Sequence, residues 1–589
     1  MSDDNAQREI RFQGAVVSPG IARGITYVVR DDWDDVVRHR IDASHIAGEI
    51  ARFEAALIQT RMQILEMQQK IAESIGAKDA GIFDAHLLVV EDRTLIDEVL
   101  RKLETDLCNV EWIFQEVANT YVETLSKIDD PYLRERALDI QDVTKRVIRN
   151  LQGKAPKAFL AATEPHILVA HNLTPSDTAT MNREHVLGLA TDLGSRTSHT
   201  AIMARSLNIP AVVGLHDVTD KLETGRNVLL DGTNGWLIVD PTEETLAHYG
   251  EVESKRVRIV EQLGELRETK STTRDGRHIV LSANIELPED VEAVAANGAE
   301  GIGLYRTEFL YLSRDSLPSE EEQYETYRKV AESVAPDPLI IRTFDLGGDK
   351  LATGAAEISD ELNPFLGCRA IRFCLDNPDI FKTQLRAILR ASAVGNVKIM
   401  FPMISGPDEL RRAVSLVKEC AGELRRENFS YNQKTEVGAM IEIPSAAIAA
   451  DTLAREVDFF SIGTNDLIQY AIAVDRMNER IAHLYEPTHP AVLRLLKMTA
   501  DAAHANGIWV GVCGEMAADI ALTPLLLGLG MDELSAGATV VPRVKRAVQS
   551  LAIPECQQLV SDALKLQTPS EILSRCMELA NERYGDLLG

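Results

Sequence analysis

Three textures of apolar and polar positions succeed one another along the chain. From Phe12 to Val29, short apolar runs (Val16-Val17 and Ile25-Thr26-Tyr27-Val28-Val29) are punctuated by Gly14, Pro19, Gly20 and Gly24, which predicts short strands. The acidic run Asp31-Asp32-Trp33-Asp34-Asp35 then reads as a solvated connector. From about Ala43 to Leu151 the spacing turns helical: Ile46, Ile50, Phe53, Leu57 and Ile64 or Leu65 share a face, and glycine and proline become scarce. Further helices are predicted over 83–90, 95–103, 110–127 and 132–150, a helical domain of four or five members with no obvious chemistry. Strand-and-turn texture returns at Ile167-Leu168-Val169-Ala170, and the turn Asp231-Gly232-Thr233-Asn234-Gly235 between two apolar runs predicts a hairpin over 229–239. Segment 251–270 is charged, with Ile259, Leu263 and Leu266 on one side, and reads as a connecting helix.

From His278 onward strand and helix alternate. The candidate strands are 278–285, 301–307, 339–346, 397–404, 437–444, 458–465, 508–514 and 533–536. Eight βα units of this size predict a (β/α)8 barrel of the TIM type. The expected fold class is therefore α/β multidomain: an α/β domain with an inserted helical bundle, followed by the barrel. The expected boundaries are 1–35 with 152–250 for the discontinuous α/β domain, 36–151 for the helical insert, 251–270 for the linker helix and 271–589 for the barrel.

A chain of 589 residues exceeds what one core supports, in keeping with several domains. Its net charge of -28 argues against general binding to nucleic acid or insertion at an anionic membrane, and makes any arginine cluster informative. The seven cysteines, at 108, 368, 374, 420, 513, 556 and 576, form no CxxC pair, which disfavours a disulfide framework or a structural zinc site. With no apolar stretch after Met1-Ser2-Asp3-Asp4-Asn5 and no run long enough to span a bilayer, a cytoplasmic location is expected.

The carboxyl ends of the barrel strands, where such barrels build their sites, carry Asn284, Arg306, Arg342, Glu442, Asn465, Asp466, Cys513 and Ser535. Arg306, Arg342 and the nearby Arg476 suit a ligand bearing both a carboxylate and a phosphate. Alternatively, each pairs with an Asp or Glu across the barrel. Glu442 and Asp466, with no histidine or cysteine beside them, suggest Mg²⁺ or Mn²⁺ completed by water and phosphate. Cys513, protonated at neutral pH, can give a proton to a carbanion-like carbon, or can be a small buried apolar residue. The loop Asp345-Leu346-Gly347-Gly348-Asp349-Lys350 can lend backbone N–H groups to phosphate, though it is no Walker A motif.

In the middle of the chain stands Gly194-Ser195-Arg196-Thr197-Ser198-His199-Thr200-Ala201. Thr197 or Ser198 can cap a helix whose first turn holds His199. The positive end of the helix dipole disfavours imidazolium, keeping the ring neutral and nucleophilic, and would stabilise a phosphate on it.

Together these stretches resemble one family. Gly194 to Arg205 is similar to the phosphohistidine signature shared by enzyme I of the bacterial sugar phosphotransferase system, phosphoenolpyruvate synthase and pyruvate phosphate dikinase. Ser18-Pro19-Gly20-Ile21-Ala22, Leu173-Thr174-Pro175-Ser176-Asp177, Gly303 to Leu310, Asn363-Pro364-Phe365-Leu366-Gly367, Ile441-Glu442-Ile443-Pro444-Ser445, Ser461 to Leu467 and Cys513-Gly514-Glu515-Met516-Ala517 match as well. The resemblance covers nearly the whole chain, and the enzyme I family is the closest. It implies that phosphoenolpyruvate binds in the barrel with Mg²⁺ on Glu442 and Asp466. Its phosphate and carboxylate would be held by Arg306, Arg342, Asn465 and Arg476, with Lys350 and Arg369 as second contacts. His199 would attack the phosphorus, Cys513 would protonate the enolate carbon to give pyruvate, and the phosphoryl group would pass to a histidine of the phosphocarrier HPr docked on the helical insert. Dimerisation through the barrel is a family property. His86 also matches a motif position and is read as structural. Two departures stand out: Ser195 replaces a glycine, and the family's Ser-Met pair near the last strand reads Ser535-Ala536. A nitrogen-linked regulatory relative, a non-catalytic scaffold and a carbon–carbon lyase on the same barrel are the competing readings. The lyase leaves His199 without purpose, and a scaffold is expected to have lost His199, Glu442, Asp466 or Cys513.

Overall fold

The structure, a computed structural model, describes residues 9–29, 36–74, 82–127, 131–153, 164–173, 177, 185–194, 198–207, 209–311, 316–346, 363–476, 478 and 480–588. It divides into two compact units, Met1–Ser254 and Lys255–Gly589.

The first unit contains an eight-stranded sheet. Its strands are β1 (Ile10–Gln13), β2 (Ala15–Ser18), β3 (Ile21–Val29), β4 (His166–Ala170), β5 (Val186–Thr191), β6 (Ala211–Val213), β7 (Asn227–Asp231) and β8 (Trp236–Val239), in the spatial order β1-β8-β7-β3-β4-β5-β6-β2. β3 and β4 are parallel neighbours, with Ile25 opposite His166 and Val29 opposite Ala170. Parallel neighbours need a long crossover, and here the crossover contains a helical bundle: α1 (Ile46–Ser74), α2 (Ile82–Val90), α3 (Arg93–Asp106), α4 (Val110–Ser126) and α5 (Pro131–Leu151). The helical periodicity read between Ile46 and Asn150 is thus realised, among the described residues, as five helices. Phe53, Ile64, Val99, Phe114 and Val147 are buried at its centre, with Met203 from the α/β part at the edge of the same cluster. His86 is a core residue there: its Nε2 lies 3.3 Å from Asp139 and its Nδ1 3.9 Å from Asp142. The predicted hairpin is the antiparallel pair β7–β8, with Asp231 opposite Trp236.

In the second unit, β9 (Val280–Ile285), β10 (Ile302–Tyr305), β11 (Pro338–Arg342), β12 (Asn396–Phe401), β13 (Val437–Ile441), β14 (Phe459–Ile462), β15 (Trp509–Val512) and β16 (Glu533–Gly537) close into a parallel barrel. All eight predicted strands are present, most ending two to four residues earlier than the apolar pattern runs. The apolar stretches extend beyond the hydrogen-bonded ladder because the loops that follow are themselves buried. Met403 and Ile404, past the end of β12, are 1% and 0% exposed. The barrel interior is filled. Phe459 and Trp509 stack with ring centroids 4.5 Å apart, and the Lys398 ammonium lies 4.9 Å from the Trp509 ring while pairing with Glu436 at 2.7 Å.

A helix α6 (His199–Ser206) follows β5, and α7 (Glu243–Glu265) spans the boundary between the units. It begins and ends earlier than the charged segment predicts, because Glu243 and Glu244 favour its N-terminal turn. Ile259 and Leu263 pack on the barrel core. The segment after α7 is fastened by buried Lys545, whose ammonium donates to the carbonyls of Arg267, Thr269 and Gly298 at 3.2, 3.0 and 2.8 Å.

Candidate functional site

The short strands leave the predicted polar residues on the barrel's carboxyl rim. Arg342 ends β11, and Arg306, Glu442 and Cys513 are the first residues after β10, β13 and β15. Asn465 and Asp466 lie in the first turn of α8 (Thr464–Ile472), which follows β14 directly. That helix start is pressed against the loop after β15: a Cβ on Gly514 would lie 2.1 Å from Thr464 Oγ1 and 2.7 Å from the Thr464 nitrogen. Asn284 ties the last strands to the first. Its amide donates to the Cys513 carbonyl at 3.0 Å and the Ser535 carbonyl at 3.3 Å, and the Ser535 hydroxyl donates to its oxygen at 2.6 Å.

Six of the predicted residues act on one another here. Cys513 feels Glu442, Arg342 and Arg306; Glu442 feels Asp466 and Arg342; Arg369 feels Asp466. Burial pushes the Cys513 thiol up to about 11, against hydrogen bonding from Ser461. The thiol is therefore protonated at neutral pH, as a proton donor must be, and its S–H points to the Ile462 carbonyl at 3.7 Å. Burial, then the negative charges of Asp466 and Asp345, push the Glu442 carboxyl up to about 8, with Arg342 opposing. Glu442 accepts the Met403 N–H at 2.5 Å, and Met403 holds a left-handed backbone (φ 56°), a conformation a side-chain-bearing residue adopts at a cost.

Each of the described rim arginines already meets a carboxylate, so the alternative of internal pairing is realised, though within one loop or between neighbouring strand ends rather than across the barrel. Arg342 lies 2.9 Å from Glu308 and 2.8 Å from Asp345; Asp345 also takes Arg369 at 2.8 Å; Arg306 pairs with Glu286; Arg476 is 3.7 Å from Glu515. The pairs are of two kinds. Glu308 and Asp345 are 14% and 3% exposed and fixed, whereas Glu286 and Glu515 are 65% and 79% exposed. Burial lowers the Arg342 pKa, but Glu308, Asp345 and Glu442 more than offset that and hold it above its ordinary value. Burial raises the Glu308 carboxyl, with Arg342 opposing. The buried Arg342 Nε–H has no partner among the described residues, a donor left over for a ligand anion.

The residues present fit a hard divalent cation. Glu442 and Asp466 are oxygen donors, and Glu442 is buried among negative charge that a cation would relieve. A Cβ on Gly463 would lie 2.8 Å from Glu442 Oε2, so the glycine keeps that oxygen uncrowded. Among the described residues no group of three or more His, Cys, Asp or Glu is arranged to hold a metal, so these two carboxylates would leave the remaining positions to water or substrate.

In the first unit, Ser198 is the N-cap of α6 and accepts the Ala201 N–H at 3.4 Å, which puts His199 at the first helical position. Thr200 behind it donates to the Leu173 carbonyl at 3.1 Å. Gly194 has φ 122°, and a Cβ there would lie 3.1 Å from Val213. Ser195, Arg196, Thr197, Lys350 and the loop 347–350 lie outside the described residues, as does the His199 ring.

Sequence reasoning passes over the carboxylates that hold the arginines and over Tyr485. The Tyr485 hydroxyl donates to the Asn465 carbonyl at 3.3 Å, and burial pushes it up to about 12, against Arg476. Glu308 and Glu515 stand inside the quoted stretches Gly303–Leu310 and Cys513–Ala517, but nothing in their spacing identifies an arginine partner on another strand.

Three family models match: PEP-utilising enzyme, N-terminal, over residues 13–136; PEP-utilising enzyme, mobile domain, over 162–235; and PEP-utilising enzyme, PEP-binding domain, over 260–553. The chain is 46% identical over 573 residues to the phosphoenolpyruvate-protein phosphotransferase of Bacillus sp. (strain S), covering 97% of this chain and 98% of the relative. It matches the protein of the same name from Geobacillus stearothermophilus at 46% over 573 residues (97% and 98%). The Staphylococcus carnosus (strain TM300) protein of that name is 43% identical over 563 residues (96% and 98%).

Proposed function

The chain belongs to the phosphoenolpyruvate-protein phosphotransferase family, enzyme I of the phosphotransferase system, and from that premise we propose that it transfers the phosphoryl group of phosphoenolpyruvate to His199 and then to a histidine of HPr. The observation that carries this reading is the rim cluster in which Arg306, Arg342, Glu442 and Cys513 share one electrostatic environment. Arg306, Arg342, Asn465 and Arg476 bind the phosphate and carboxylate, with Lys350 and Arg369 as second contacts. Mg²⁺ held by Glu442 and Asp466 would supply positive charge against the phosphoryl oxygens.

His199 forms the N–P bond as the bond from phosphorus to the enol oxygen breaks, and the enolate leaves with the electron pair. The Cys513 S–H gives its proton to the methylene carbon, which yields pyruvate. The resulting thiolate sits beside Arg306 and Arg342, whose charges lower the thiol pKa. At the start of α6 the free backbone N–H groups favour the phosphate on His199. HPr then docks on the helical insert. Ile58, Met62 and Leu65, one face of α1 at helical spacing, are 62%, 58% and 38% exposed, and Leu88 on α2 is 67% exposed. These four offer the apolar surface such docking needs. Exposed Phe365, Leu366, Ile448 and Leu484, all in segments that follow barrel strands, suit a homodimer through the barrel domain. Among the described residues no helix is long and apolar enough to cross a membrane, and a cytoplasmic location is proposed.

The test is incubation with labelled phosphoenolpyruvate and Mg²⁺. An acid-labile phosphate on His199, absent in His199→Ala, is expected; a folded protein that takes up no label overturns the reading.

A further inference from the structure

Asn465 and Arg476, two residues assigned to the substrate anion, converge on one oxygen of Glu515. The Asn465 Nδ2 donates to Glu515 Oε1 at 3.0 Å, and Arg476 Nη1 lies 3.7 Å from the same atom. The backbone N–H of Glu515 donates to Asn465 Oδ1 at 2.8 Å, which fixes the amide with its donor side toward that carboxylate oxygen. The anchoring is therefore divided: the backbone orients Asn465, while the carboxylate only occupies the donors. The carboxylate belongs to a side chain 79% exposed, so it can turn into solvent without a buried charge being stranded. By contrast Asp345, 3% exposed between Arg342 and Arg369, has no such exit.

We propose that Glu515 is a specificity-determining residue that acts as a built-in anion: its carboxylate engages Asn465 and Arg476 at the anion position and yields it to the substrate. Resting on the phosphotransfer reading, this adds that weak single anions must compete with Glu515 for that position. An anion that also engages Arg306 and Arg342 gains enough elsewhere to displace it. Glu515 touches the ligands of the substrate, not the reacting atoms, so it sets affinity and selectivity and leaves the chemical step alone.

The test is E515Q in the full-length protein, with inorganic phosphate as the probe and titration calorimetry as the readout. Gln retains an oxygen that can accept from Asn465 Nδ2 and loses only the charge. Phosphate is expected to bind about 2–5-fold tighter than to the wild type, the range for loss of one exposed charge pair. KM for phosphoenolpyruvate is expected to fall by a similar factor at unchanged kcat. In E515Q/R476M the gain in phosphate affinity disappears, which assigns it to this position. Unchanged or weaker phosphate binding by E515Q overturns the proposal, as does a gain that survives R476M. Tighter phosphate binding in a protein that takes no label from phosphoenolpyruvate upholds the role of Glu515 and fails the phosphotransfer reading instead.

Discussion

Gly514 is the residue on which the placement of Asn465 and Asp466 turns. Its φ of -85° is open to any amino acid, so the constraint is space. An alanine methyl would lie 2.1 Å from Thr464 Oγ1, 2.7 Å from the Thr464 nitrogen and 3.0 Å from Asn465 Oδ1. The hydroxyl can rotate, but the Thr464 nitrogen is backbone at the head of α8, and Thr464 is fully buried. Gly514→Ala must therefore push the start of α8 away from the β15 loop by about 1 Å, the gap to ordinary contact in a close-packed interior. Overpacking of this kind costs about 1–3 kcal/mol, or a few degrees of melting temperature for a domain of this size. Displacing Asn465 and Asp466, the proposed substrate and cation ligands, by about 1 Å is expected to cost on the order of 100-fold in rate. The initial rate of enzyme labelling from phosphoenolpyruvate and a thermal melt separate the two effects. Gly537→Ala, where the added methyl meets open space, serves as the control and is expected to behave as wild type in both. A Gly514→Ala protein that labels at the wild-type rate would refute the reasoning.

Other perturbations have equally definite outcomes. Of the seven cysteines only Cys368 is exposed, so a thiol reagent at pH 7.5 is expected to titrate one fast thiol in the folded protein and all seven in denaturant. Burial pushes Cys513 up to about 11 and Cys420, Cys556 and Cys576 up to about 12, from the ordinary thiol value of 9.0. Their raised folded-state values make the stabilisation complete below about pH 9 and lost as pH rises toward 12, so melting temperature is expected to fall progressively over that window. Chelation with EDTA is expected to abolish labelling of His199 and Mn²⁺ to restore it, while Glu442→Gln, still able to accept the Met403 N–H, folds but loses at least about 100-fold in labelling rate. Met62→Lys on the exposed face of α1 is expected to slow transfer to HPr and leave labelling by phosphoenolpyruvate unchanged, read by the two half-reactions separately.

How much of this was legible in the sequence depends on the reach of the interaction. The barrel strands were legible because each is a local apolar run, and the rim residues because they immediately follow such runs: Arg306, Glu442 and Cys513 each stand one position beyond a strand. The early strand ends were not, since Met403 and Ile404 are as apolar and as buried as the strand before them. Glycine roles divide the same way. Gly194 could be read as a loop glycine and has a positive φ, whereas Gly514 and Gly463 are required by atoms distant in sequence, those of Thr464 and Glu442. Lys545, buried on three carbonyls more than 240 positions away in sequence, carries no local signal at all.

The arginines show why the unread part matters most for function. Three cations near one rim suggest an anion pocket, yet Arg306, Arg342, Arg369 and Arg476 all face carboxylates, as the alternative of internal pairing expects. The two readings cease to compete once the partners are sorted by burial. A guanidinium with no counter-charge in a largely buried pocket would be costly to hold, and one fixed by a largely buried partner is oriented in advance. Glu308 and Asp345 therefore act as orienting partners for Arg342 and Arg369, and the buried Arg342 Nε–H is left without a partner among the described residues. Glu286 and Glu515, exposed, are the partners that can depart. On the proposed function, an acidic protein would in this way keep a phosphate-and-carboxylate site ready: buried carboxylates would set its geometry, and surface carboxylates would yield it to a better anion.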